Sequence, residues 1–243
     1  MTEDQLLFRA DAYLRSAEGR VVAVSDTGAV TVEPALFYPT GGGQPGDTGR
    51  IDWDGGGAVV VDTVKASDGG SALVLAPGAP SPAIGATVTQ RIDWDRRFAH
   101  MRVHTALHLL SVVLPLPVTG GGIGAGTGRL DFLMPQPPED RDAIEDALNA
   151  LIAQDLPVSD TWITDAELEA NPGLVKTLSV APPRGAGRVR LVRIGDTEAP
   201  VDLQPCGGTH VARTSEIGPV SITKIANKGK QNRRVSIALQ SGA

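Results

Sequence analysis

Over residues 1 to about 90, apolar and polar positions alternate in short runs: G-R-V-V-A-V-S, A-V-T-V-E, A-V-V-V-D-T-V and S-A-L-V-L. Glycine and Asp-Gly punctuate these runs about every ten residues, the pattern of a small β-barrel or sandwich. The period changes near Arg96. R-R-F-A-H-M-R-V-H-T-A-L-H-L-L-S-V-V-L carries apolar residues at helical spacing and stops at Pro115. A second helix is predicted from Pro138 to about Gln154, with Ile144, Leu148, Leu151 and Ile152 on one face. A short third helix is predicted after Thr164, an N-cap with Glu167 three residues on. Strands are predicted around Gly128–Met134, Val189–Ile194, Val220–Ala226 and Arg234–Leu239, the last two forming a hairpin across N-K-G-K-Q-N. The pattern predicts an α+β protein of two domains: residues 1–90 all-β, residues 91–243 mixed.

Composition adds boundaries to this picture. The chain has 243 residues, 41% of them hydrophobic and 21% charged, ordinary for a globular protein with ample apolar content for a core. No apolar run approaches the roughly 18 residues of a membrane span. The acidic start M-T-E-D-Q-L-L-F lacks the basic flank of a secretory signal. One cysteine allows no internal disulfide and fits a reducing cytoplasm. The net charge of −6 is unevenly spread: residues 176–243 hold 11 Lys/Arg against 4 Asp/Glu. A basic third on an acidic protein could meet a polyanion, or could be an ordinary solvated face.

The candidate chemistry is concentrated in the four histidines and the cysteine. His100, His104 and His108 fall at i, i+4 and i+8 of the predicted helix, so neighbours project from one face a turn apart. His210 stands four residues after Cys206 in P-C-G-G-T-H, where glycines permit a tight turn. His104, His108, Cys206 and His210 together offer three nitrogens and one sulfur, a set suited to one tetrahedral zinc ion. His100 is placed outside that set, because His104 and His108 form the pair deeper in the apolar part of the helix. Thr105 occupies the glutamate position of H-E-x-x-H, so the general base of that metalloprotease class is missing.

Two glycine-rich segments complete the inventory. F-Y-P-T-G-G-G-Q-P-G-D-T-G (residues 37–49) lacks the G-K-[ST] ending of a P-loop. T-G-G-G-I-G-A-G-T-G-R-L-D-F (residues 119–132) contains a nominal G-x-G-x-x-A, but a Pro-rich stretch precedes it rather than a strand. No nucleotide cofactor is expected from either.

R-x-x-H-M-R-V-H-T-A-L-H-L-L, P-C-G-G-T-H-V-A-R-T-S-E-I-G and F-Y-P-T-G-G-G-Q-P-G-D-T-G together resemble the alanyl-tRNA editing family. That family comprises the editing region of alanyl-tRNA synthetase and the freestanding AlaX proteins, and this chain is similar to the medium-length type. The resemblance implies an N-terminal β-barrel beside a zinc-binding editing domain, with zinc at His104, His108, Cys206 and His210. It implies a deacylase hydrolysing the ester of tRNA(Ala) charged with a wrong amino acid, chiefly serine, with glycine a second candidate. A deacylase of another mischarged tRNA (threonyl-type) and a non-catalytic RNA-binding module with structural zinc are the alternatives.

No catalytic side chain is assigned beyond water associated with the zinc; the ion could activate that water or orient the substrate. Thr40, Gly41, Gly42, Gly43 and Gln44 are the expected substrate contacts, Thr40 the favoured partner of a serine hydroxyl, with Thr105 and Thr209 also candidates. Lys224, Lys228, Lys230, Arg233 and Arg234 are expected tRNA contacts, with Arg184, Arg188, Arg190 and Arg193 as further basic residues. Leu107 stands where many synthetase versions carry threonine, and a glutamine common in the second glycine-rich segment is replaced near Gly122. Polar contacts of those two positions are therefore not carried over.

Overall fold

The computed structural model describes residues 5–66, 69–138, 140–177 and 187–240. The chain forms two compact units, Met1–Phe98 and Ala99–Ala243. In the first, a short helix α1 (Leu7–Ala10) precedes strands β1 (Ser16–Val24), β2 (Val30–Glu33), β3 (Gly49–Trp53), β4 (Gly56–Lys65), β5 (Ser71–Leu75) and β6 (Thr87–Ile92). These close into an antiparallel barrel in the order β1-β2-β5-β4-β3-β6. Closure removes the exposed strand edges that invite mispairing. Alternation selects the filling: Ala58 and Val60 of β4 turn into the core with Val21, Val32, Ile51, Leu73 and Val88, while Val59 and Val61 face out.

A buried ion pair holds the first glycine-rich segment to this barrel. The Arg97 and Asp47 side chains are almost wholly buried, and Arg97 Nε donates to both Asp47 carboxylate oxygens at 2.9 Å. The other guanidinium nitrogens donate to the carbonyls of Ala12 (3.0 Å) and Leu36 (2.9 Å). Asp47 also accepts from the Tyr38 amide at 2.6 Å. Each charged group is thereby hydrogen-bonded, the condition under which buried charges are tolerated.

Helix α2 (Trp94–Val113) continues beyond the division at Phe98 into the second unit. There follow β7 (Val118–Ile123), β8 (Thr127–Leu133), α3 (Arg141–Ala153), β9 (Val158–Thr164), α4 (Asp165–Ala170), β10 (Arg188–Gly195), β11 (Pro200–Pro205), β12 (Val220–Asn227) and β13 (Asn232–Leu239). They make two antiparallel sheets, β11-β10-β9 and β12-β13-β8-β7. The expected α+β class with an N-terminal barrel is therefore what the chain adopts.

Local signals set several boundaries. The Asp140 side chain caps α3 by accepting from the Ala143 amide, so the helix begins at Arg141, three residues after the sequence-based start at Pro138; N-capping needs a side-chain oxygen that proline lacks. Thr164 and Glu167 form the reciprocal capping box expected for α4. Asn149 and Glu145 of α3 satisfy the edge strand β12, bonding Val220 and the Ile222 amide. The second glycine-rich segment is not a loop but the β7–β8 hairpin. A Cβ at Gly128 would lie 2.5 Å from Val103 Cγ1 and 3.2 Å from Leu107 Cδ1. Glycine is thus what lets β8 pack directly on α2.

Candidate metal centre

Helix α2 supplies His104 and His108 one turn apart, and the turn after β11 supplies Cys206 and His210. One donor atom from each of the four lies within 4.8 Å of the others. Cys206 Sγ is 3.4 Å from His104 Nε2 and 3.3 Å from His210 Nε2. The imidazole centroids are 4.2 Å (His104–His210), 4.6 Å (His108–His210) and 5.2 Å (His104–His108) apart. The three histidines are buried, and Cys206 is partly so. His100, a turn earlier on α2, is fully buried and does not belong to the converging set.

The far nitrogens of two rings are anchored. His108 Nδ1 lies 2.9 Å from Asp202 Oδ2. The carboxylate can only accept, so Nδ1 carries a proton and Nε2 is the one nitrogen of this ring that can give a lone pair to an ion. Asp202 is held in turn by Lys176 Nζ on Oδ1 and by Gln204 Nε2 on Oδ2 (2.7 Å). His210 Nδ1 is 3.1 Å from Thr105 Oγ1. That hydroxyl donates to the Met101 carbonyl (2.9 Å) and accepts from the Val211 amide (3.3 Å). It therefore accepts from His210 Nδ1–H, leaving His210 Nε2 unprotonated toward Cys206. Such outer hydrogen bonds fix the tautomer and ring orientation of metal-binding histidines.

The electrostatics favour a charged sulfur. Burial opposes ionisation of Cys206, but His104 and His210 outweigh it and hold the thiol well below its ordinary value. Burial, reinforced by the charge of His104, depresses His210 to about 3. Burial would depress His108 too, yet the Asp202 hydrogen bond and the Cys206 thiolate raise it to about 9. Asp202 falls to about 2, the His108 and Lys176 contacts overcoming burial. A cation entering here displaces a proton from His108 and meets one thiolate and three imidazoles, a donor set close enough to bind a metal.

The other expected site residues are placed as follows. Gly41 and Gln44 close a tight turn with two backbone bonds of 3.0 Å, Gly41 amide to Gln44 carbonyl and the reverse. Gly42 and Gly43 occupy its tip at φ +58° and +85°, a conformation that favours glycine. Thr40 is exposed, and its Oγ1 accepts from the Gly46 amide at 2.8 Å. Gln44 is fully buried. Thr105 is fully buried, its hydroxyl engaged by the Met101 carbonyl and by His210.

Among the basic residues, Lys224, Lys228 and Lys230 are exposed on the β12–β13 hairpin. Arg234 instead forms a bidentate pair with Asp131 (2.7 and 2.9 Å), and Arg233 donates to the Pro135 carbonyl at 2.8 Å. Arg184 lies outside the described residues. The residues that sequence reasoning missed are Asp202, Gln204 and Lys176. The signal for the first two was the alternation D-L-Q-P-C, which puts two polar side chains and the cysteine on one side of the chain; Lys176 carries none.

Residues 189–236 match the family model described as the threonyl and alanyl tRNA synthetase second additional domain. Over 250 residues, 98% of this chain and 99% of the relative, the chain is 35% identical to the alanyl-tRNA editing protein AlaX-M of Methanosarcina acetivorans. It is 36% identical to the AlaX-M of Methanosarcina barkeri, with the same coverage of both chains. It is also 36% identical to the alanine–tRNA ligase of Pyrobaculum neutrophilum over 90% of this chain, but over 25% of that enzyme. The matched segment, which holds Cys206 and His210, is thus of the class named for the threonyl and alanyl tRNA synthetases. Within that class, the chain belongs to the alanyl-tRNA editing family. Among the described residues, no helix is long and apolar enough to cross a membrane.

Proposed function

We propose that this protein is a trans-acting aminoacyl-tRNA deacylase that hydrolyses the ester of Ser-tRNA(Ala), with Gly-tRNA(Ala) as a second substrate, and that it holds one zinc ion at His104, His108, Cys206 and His210. The observation that carries this reading is the convergence of those four donors in a chain similar over its full length to alanyl-tRNA editing proteins. Three imidazole nitrogens and one thiolate suit zinc better than an oxygen-loving cation. The anchored Nδ1 positions of His108 and His210 support it, because each ring then has Nε2 to offer a metal, His108 on giving up its second proton.

When bound, zinc would supply a Lewis acid able to polarise an ester carbonyl or water, or to hold the substrate's amino group. The chain's own residues do the rest. Asp202, Gln204 and Thr105 keep the rings from turning. The Gly41–Gly43 turn, closed by Gln44, is assigned to the aminoacylated end of the tRNA. Thr40 Oγ1 accepts from Gly46 but keeps its own hydrogen, so it can donate to the serine hydroxyl that alanine lacks. A site built on such a bond rejects the analogue without the hydroxyl strongly. Lys224, Lys228 and Lys230, with Arg233 beside the hairpin's turn, are assigned to tRNA phosphates, while Arg234 is engaged by Asp131.

The test is deacylation of serine-, glycine- and alanine-charged tRNA(Ala) by the full chain. Serine is expected to be released and alanine retained, with activity lost on zinc removal and in a folded His104→Ala variant. Equal release of serine and alanine would defeat the proofreading reading. No release above the metal-free control would defeat the enzyme.

A further inference from the structure

Arg190 belongs to the basic third of the chain and from sequence reads as a phosphate contact. Its surroundings give it another task. Nη1 donates to the Cys206 carbonyl at 3.1 Å and to the Gly208 carbonyl at 3.0 Å. Its own carbonyl accepts from the Cys206 amide at 3.2 Å, continuing the β10–β11 pairing by one rung. The side chain is 12% exposed, with Asp160 Oδ2 3.6 Å from Nε. A guanidinium so enclosed has little surface left for a phosphate.

The held segment is the one that most needs holding. Cys206 and His210 are separated by Gly207, Gly208 and Thr209, and consecutive glycines lose more backbone freedom on ordering than any other pair. The Gly208 amide donates to Cys206 Sγ at 3.4 Å, so the peptide that supports the sulfur adjoins the carbonyl that Arg190 grips. We propose that Arg190 is a positioning residue of the metal centre, a clamp that sets the Cys206–His210 turn so that thiolate and imidazole face a common point. Its fork presents donors in a rigid plane, and the positive charge lies on the carbonyl side of the turn. The proposal rests on the zinc reading given above.

The test uses the full chain with Zn²⁺ competed by a chromophoric chelator, and Co²⁺ to read the thiolate-to-metal absorption band. Arg190→Gln is expected to weaken zinc about 10- to 100-fold, the range for lost outer contacts of a metal ligand, and to weaken or shift the cobalt band. Arg190→Lys keeps the charge on an unbranched stem and is expected to fall between parent and Gln variant. Far-UV circular dichroism of the metal-free proteins should be superimposable. Should the Gln variant not fold, the Lys variant decides.

Zinc affinity within about twofold of the parent in the Lys variant, and in the Gln variant if folded, overturns the clamp. So does an affinity loss confined to tRNA, with the salt slope falling by roughly one. A parent that binds no zinc removes the metal reading itself, which is distinguishable because the failure then precedes any substitution.

Discussion

Replacing Asp202 by asparagine tests the reasoning about the centre most directly. The Asp202 side chain has no exposure and accepts from His108, Gln204 and Lys176. Asparagine keeps the shape, removes the charge, and turns an amide group toward at least one existing donor. In the metal-free protein, Asp202 stands at about 2 against an ordinary 3.8. At 1.36 kcal/mol per pKa unit this corresponds to roughly 2 kcal/mol of stability near neutral pH. The sign follows from both partners. The depressed Asp202 contributes above pH 3.8 and is lost as pH falls through 2; the raised His108 contributes below 6.5 and is lost as pH rises through 9.

In the metal-free state, the urea resistance of the parent over the Asn variant should therefore be greatest between about pH 4 and 6.5, at about 2 kcal/mol, and should shrink toward either end. Zinc affinity should fall by about 10- to 100-fold. Chelator competition and urea titrations across pH 3–9 read both quantities. An Asn variant with parental zinc affinity and an unchanged pH profile would refute the role given to the carboxylate.

Three other variants follow from the packing and the charge. Asp47→Ala strands the buried Arg97 guanidinium and should destabilise the chain by about 3–5 kcal/mol, read by thermal denaturation. Gly128→Val drives a side chain into Val103 and Leu107 and should cost about 1–3 kcal/mol in a urea titration. Reversing Lys228 and Lys230 to glutamate should weaken tRNA binding and flatten its salt dependence in a filter-binding assay, while zinc content stays at the parental level.

Helix α2, the capping box of α4 and the β12–β13 hairpin were legible because each carries a local signal: helical period, Thr-x-x-Glu, and alternation across a turn. The four donors were legible because metal ligands must be particular residue types at short spacings. Other strands were hidden for identifiable reasons. In β6 the inward position between Val88 and Ile92 is Gln90, whose amide bonds the Pro34 carbonyl and the Leu36 amide, so a polar residue breaks the apolar rhythm. In β7 three successive glycines oppose strand propensity, and only pairing with β8 fixes them. In β11 the inward residues are Asp202 and Gln204, polar because their partners are His108 and Lys176. The same exchange accounts for Arg190 and Arg234: composition counts their charge, but only the fold shows it spent on the Cys206 turn and on Asp131.

Asp202, Gln204 and Cys206 occupy every second position of β11 and the residue after it, facing the same way. A slip of β11 by one residue against β10 would turn all three outward together, leaving His104 and His108 without their sulfur partner and His108 without its anchor. Two registers that would differ little in backbone pairing thus differ completely in their capacity to take up an ion. Metal uptake in refolding would then report on whether the edge strand has docked in register.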